Sequence, residues 1–80
     1  MMIHGNEYSL LLGSDRERDG MFLELYAGHE PSGEPLAECF YSDGDGSLTL
    51  TEYARAVPQA ALAWLRSEGA RRLAPDVRTA

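Results

Sequence analysis

The amino-acid sequence predicts an α+β domain: a four-stranded antiparallel meander followed by one C-terminal helix packed on one sheet face. Three observations lead there. Apolar residues recur with period two in short segments at about 7–13, 21–28, 36–42 and 47–53. Turn-forming residues (SDRERDG, HEPSGEP, DGDG) separate those segments. One Ala- and Leu-rich stretch, about 58–73, has helical spacing instead.

In EYSLLLG, Tyr8, Leu10 and Leu12 alternate onto one face, and in MFLELYAG, Met21, Leu23 and Leu25 do the same. Leu11, Phe22 and Tyr26 then fall on the opposite face. The intervening SDRERDG reads as a polar, mobile hairpin loop, in which Asp15, Glu17 and Asp19 do no more than interact with water. His4 lies in a frayed terminus. LAECFYS is the third strand, and SLTLTEY, with β-branched Thr49 and Thr51, is the fourth. The Asp-Gly pairs between them suit a hairpin turn, because glycine supplies positive φ angles. Reversal between residues 44 and 45 puts Cys39 and Tyr41 on the face of Leu48 and Leu50. Leu36 and Phe40 then share the other face with Thr49, Thr51 and Tyr53.

Pro58 suits a first helical turn, where its missing N–H costs nothing. Ala61, Leu62, Trp64, Leu65, Gly69 and Leu73 occupy one arc of the helix. Arg71 and Arg72 complement its C-terminal dipole. Gly69 weakens the helix interior and marks a close approach to the sheet. Pro75 stops the helix, leaving a frayed tail over 75–80. One helix covers one face. Leu11, Phe22, Tyr26, Leu36 and Phe40 are therefore expected on an uncovered side, which a second copy would cover as a homodimer, sheet against sheet.

Eighty residues with 44% hydrophobic and 25% charged side chains suit a single small globular domain. Residues 1–53 hold 11 acids against Arg16 and Arg18, within a formal net charge of −6 and with no lysine. An acidic body disfavours nucleic-acid backbones, which require clustered cations. No run reaches the ~18 apolar residues of a membrane span, and the N-terminus has no basic leader, so the expectation is a cytoplasmic protein without membrane attachment. Cys39, the single cysteine, allows neither an internal disulfide nor a thiolate zinc cluster. No nucleophile–base pair is selected by spacing, and no phosphate-binding or hydrolase motif occurs. A non-enzymatic role without a cofactor is expected.

YSDGDGSLTLTEY admits a second reading. Residues 43–53 resemble the later part of an EF-hand calcium loop, whose oxygens alternate before a sharp glycine turn and whose last ligand is a bidentate glutamate. The resemblance covers about a dozen residues. It implies Asp43, Asp45, Ser47 and Glu52 as calcium ligands, Gly46 as the turn glycine and Leu48 as the apolar residue that pairs loops. Tyr41 stands where the family starts with aspartate. The two readings exclude each other: in a hairpin Asp45 and Glu52 lie roughly 20 Å apart at ~3.3 Å per residue, whereas calcium ligands converge within ~2.6 Å of one ion. Turn chemistry and strand alternation favour the hairpin.

The function expected from the sequence is that of a small acidic protein-interaction module, an inhibitor or adaptor docking on a basic protein partner. Phe22, Tyr26 and Phe40 would be its apolar anchors, with Glu24 and Glu38 as steering charges. The alternative is a calcium-binding module using the loop just described.

Overall fold

The computed structural model describes residues 1–73. The predicted tail over 75–80 lies outside them. Five strands, β1 (Met2–Ile3), β2 (Asn6–Asp15), β3 (Gly20–Ala27), β4 (Ala37–Ser42) and β5 (Leu48–Glu52), precede one helix, α1 (Gln59–Leu73). The strands form one antiparallel sheet in sequential order. The meander and its C-terminal helix are those the sequence predicts, with one strand more. The extra strand exists because His4 and Gly5 both adopt positive φ, 52° and 81°, making a two-residue turn that pairs Ile3 with Asn6. His4 therefore occupies a turn, not a frayed end. A histidine in the left-handed region is uncommon, so its neighbour Gly5 was the only local cue.

Two hairpin loops share one construction. Residues 16–19 join β2 to β3, and residues 43–46, closed by the facing Ser42 and Ser47, lead from β4 towards β5. In each loop the fourth residue is left-handed, Asp19 at φ 55° and Gly46 at φ 72°. The second loop is centred where the sequence places it, with Tyr41 opposite Leu48 and Cys39 opposite Leu50. It spans four residues rather than two. The Ser42 N–H donates to Ser47 O at 2.9 Å, and the Gly46 N–H donates to Ser42 O at 2.8 Å. A tight two-residue turn would need two adjacent left-handed residues, and here only Gly46 is left-handed. Asp43 N–H also donates to Asp19 O at 2.9 Å, so the two loop tips are joined.

Strand register carries Leu23, Leu25, Ala37 and Cys39 onto the face beneath α1. With Ala61, Leu62, Leu65 and Leu73 from the helix, and with Ile3, Tyr8 and Val57, they form the buried core. The closest approach is at Gly69. A Cβ there would overlap Cys39 Sγ and stand 3.1 Å from Cys39 Cβ. The helix thus sits on the sheet through a missing side chain, the close approach its sequence position suggests. The Glu68 carboxylate ties the last turn together, meeting Arg71 at 2.6 Å and Arg72 at 3.1 Å.

Leu36 departs from its expected face. Its N–H donates to Leu25 O at 2.7 Å, although Ala37 is the register partner of Leu25. Two residues thus oppose one, a bulge that breaks strict alternation. Leu36 packs against the helix-side core.

Gly69→Ala is expected to destabilise the domain, although alanine normally favours a helix over glycine by ~1 kcal/mol. Overpacking against Cys39 costs about 1–3 kcal/mol and outweighs that gain. Adding Cys39→Ala should recover a large part of the loss, as read from urea-unfolding midpoints of the single and double variants.

Candidate interaction surface

The sheet face opposite α1 carries Phe22, Glu24 and Tyr26 from β3, with Glu38 and Phe40 from β4. Register sets Phe22 beside Phe40 and Glu24 beside Glu38. The structure therefore brings together, on one face, all five residues that the sequence proposes for partner contact. Their environments differ.

Phe22 and Phe40 are half-buried because each ring sinks over a glycine. The Phe22 ring fills the space that a Cβ of Gly13 would occupy, and Phe40 does the same above Gly20. Tyr26 is buried, at 7% exposure. Its hydroxyl donates to Glu24 Oε1 at 2.9 Å, and that bond to a carboxylate is the first cause of a raised phenol pKa. Of the apolar residues expected to be uncovered, Leu11 is the most open, at 41%. The apolar surface is smaller than the alternation pattern implies.

Glu38 requires the main correction. The sequence reading made it a steering charge, but it is buried, at 4% exposure. Arg18 reaches back from the first hairpin loop and donates to both carboxylate oxygens, at 2.9 and 2.7 Å. The same guanidinium lies 4.1 Å over the Phe40 ring centroid. Its Nε donates to Asp15 Oδ2 at 2.6 Å. The Tyr53 hydroxyl approaches Glu38 Oε1 from the other side at 3.4 Å. Burial, then the Glu38 charge, raises the Tyr53 phenol pKa.

Arg18 went unrecognised in the sequence, where its loop read as mobile and solvated. Asp15 shows otherwise. Its Oδ1 accepts from the N–H groups of Glu17 and Arg18, at 3.0 and 3.2 Å, an aspartate turn that presets the loop. An Asp three residues before an Arg, closed by Asp-Gly, was the local signal. That the arginine folds inward is a tertiary fact. Charge on this face is therefore partly neutralised. Glu24 remains, together with the exposed carboxylates of Glu17, Asp19, Asp43 and Asp45 around the joined loop tips.

The calcium-type ligand set is divided by the hairpin. Asp43, Asp45 and Ser47 stand at the loop, while Glu52 ends β5 opposite Ala37. Asp45 Oδ1 accepts from the Ser47 hydroxyl and N–H, at 2.7 and 3.0 Å, and these bonds, the hydroxyl's first, hold its carboxyl below the usual range. Among the described residues, no three His, Cys, Asp or Glu side chains are grouped closely enough to share a metal ion.

Cys39 is buried under the helix, and burial pushes its thiol pKa up. His29 is exposed, 4.0 Å from Glu30. A shallow depression of about 320 Å³ is lined by Glu34, Pro35 and Tyr53. No described helix is long and apolar enough to cross a membrane. Compared with known proteins, the chain matches no family model, no curated protein and no solved structure.

Arg18→Ala is expected to cost about 2–3 kcal/mol. That lies below the ~3–5 kcal/mol for breaking a fully buried pair, because the Arg18 side chain is 42% exposed. Adding Glu38→Leu, which removes the stranded charge, should restore most of the stability in thermal melts. Asp15 reports the same clamp. Hydrogen bonding from the Arg18 side chain, the largest cause, holds its carboxyl below the ordinary value of 3.8. A depressed acid contributes stability above its unfolded pKa and loses it as pH falls through the folded one. Carboxyl NMR titration should give an Asp15 midpoint below 3.8, rising towards it in Arg18→Ala.

Proposed function

We propose that this chain is a non-enzymatic protein-interaction module, an inhibitor or adaptor that docks its open sheet face on a basic protein partner. The supporting observation is the pairing of Phe22 and Phe40 across neighbouring strands, beside loop tips rich in exposed carboxylates. Interfaces draw affinity from rigid aromatic anchors and draw on-rate and selectivity from charge complementarity. Sinking the two rings over Gly13 and Gly20 fixes them in place, so little side-chain entropy remains to be lost on docking.

The division of roles changes from that expected from sequence. Phe22 serves as the principal anchor. Phe40 contributes the part of its ring that Arg18 leaves open. Tyr26 supports Glu24 through its hydroxyl, and Glu24 with the loop-tip acids supplies the steering field. Glu38 holds the face together.

The experiment is capture of a partner from native lysate at low salt, then calorimetry on the purified pair. Affinity should fall steeply from ~50 to ~500 mM salt, as the Debye length contracts. Phe22→Ala should weaken binding by about tenfold or more, and Glu24→Gln should flatten the salt dependence. A complex indifferent to both salt and Phe22→Ala would exclude this face as the docking surface.

A further inference from the structure

Among the described residues, one long strand edge is open. In an antiparallel pair, alternate residues bond to the neighbouring strand and those between point their N–H and C=O the other way. Glu7 O accepts from Gly28 N–H at 2.8 Å, so odd-numbered residues of β2 bond to β3. Tyr8 faces outward and exchanges bonds with Met1, its N–H donating to Met1 O at 2.8 Å and its O accepting from the Met1 amino group at 3.1 Å. Beyond Tyr8 the outward residues are Leu10, Leu12 and Ser14. Among the described residues, no strand pairs with them. Residues 9–14 carry no charge, and Leu11 and Leu12 are exposed at 41% and 48%. A long uncharged edge of this kind is a template for another strand.

We infer that β2 pairs antiparallel with β2 of a second copy of this chain, about a twofold axis at Leu12. The open window runs from residue 9, just past Tyr8 and its bonds to Met1, to residue 15, the last of β2, and Leu12 is its midpoint. Pairing about that midpoint sets Leu12 against Leu12 and Leu10 against Ser14 in both directions. Every outward N–H and C=O in the window is then satisfied, by about six hydrogen bonds, and β1 stays in place. The side chains match. On the helix side the two Leu12 residues meet beside Leu10. On the open side each Leu11 lies opposite the other copy's Gly13, against the Phe22 ring that fills the space above it. The twofold closes the assembly at two copies, because an isologous contact uses its surface up.

The opposite edge is a poorer template. β5 is shorter and turns Thr49 and Thr51 to one face, and its terminal Glu52 is exposed, whereas Asp15 at the end of β2 is met by Arg18. Short length and charge are the features that guard an edge. Edge pairing differs from the sheet-on-sheet homodimer suggested by alternation. It leaves the open faces of both copies on one side of a continuous sheet, and it stands independently of the docking reading.

Sedimentation of the purified chain from ~10 μM to ~1 mM should give a mass rising towards twice 8.8 kDa. Each copy carries a formal charge of −6, so added salt should strengthen the dimer, the opposite of its effect on a basic partner. Amide exchange at Leu10, Leu12 and Ser14 should slow as concentration rises. Leu12→Pro removes two donors from the pairing, while the β2–β3 ladder, which does not use the Leu12 N–H, is kept. It should weaken the dimer by at least about tenfold. Leu12→Lys, which sets two cations at the axis, should do the same if the proline variant folds poorly, whereas Leu48→Lys at the other edge should have no effect. A monomer throughout this range, a dimer unaffected by Leu12→Lys, or protection of these amides that does not change with concentration would overturn the proposal.

Discussion

A carboxylate buried in the middle of a sheet must find a counter-charge or give up its own. Glu38 finds one in Arg18, and much of the open face follows from that pairing. To deliver a guanidinium to β4, the first hairpin loop has to turn back over the sheet. Asp15 shapes the turn by accepting two loop N–H groups, and it also holds the guanidinium from behind. The same guanidinium covers Phe40, and Tyr53 approaches the carboxylate from beyond β5. One ion pair thus ties the first loop, β4 and the segment leading to the helix. Such pairs add little net stability over an apolar substitute. What this one supplies is a defined position for a loop that would otherwise be free.

The two sheet faces are held by different physics. Under α1, packing is dry and close, and the absence of a side chain at Gly69 brings helix and sheet together. Opposite it, aromatic rings sit over glycines and charges are matched in part. That asymmetry is what the proposed docking uses: a rigid aromatic pair flanked by exposed acids.

The edges add a second asymmetry. β5 is short, while β2 is long and carries an uncharged, leucine-rich run over residues 9–14 before Asp15, whose charge Arg18 meets. Among the described residues, the outward groups of β2 find backbone partners only where the N-terminal segment with β1 reaches. The proposed self-pairing and the proposed docking use different surfaces, backbone groups at the edge and side chains on the face. Electrostatics affects them in opposite directions, since two copies repel and a basic partner is drawn in.

The sequence by itself determined the four longer strands of the meander, their order, most of the residues that face the helix and the reversals between those four strands, because period-two alternation and turn-forming residues are local properties of the chain. Leu23, Leu25, Cys39 and Leu65 could be read as core from spacing alone. The five proposed contact residues could likewise be placed on one face by parity. Only the tertiary structure decided how those five differ: that Glu38 is neutralised, that Tyr26 is buried, that Leu36 turns to the core through a bulge, and that His4 and Gly5 add a strand. Each of these depends on a contact between segments distant along the chain or on a single backbone dihedral. Neither leaves a periodic trace in the sequence, since periodicity records which face a residue is on and not what lies across from it.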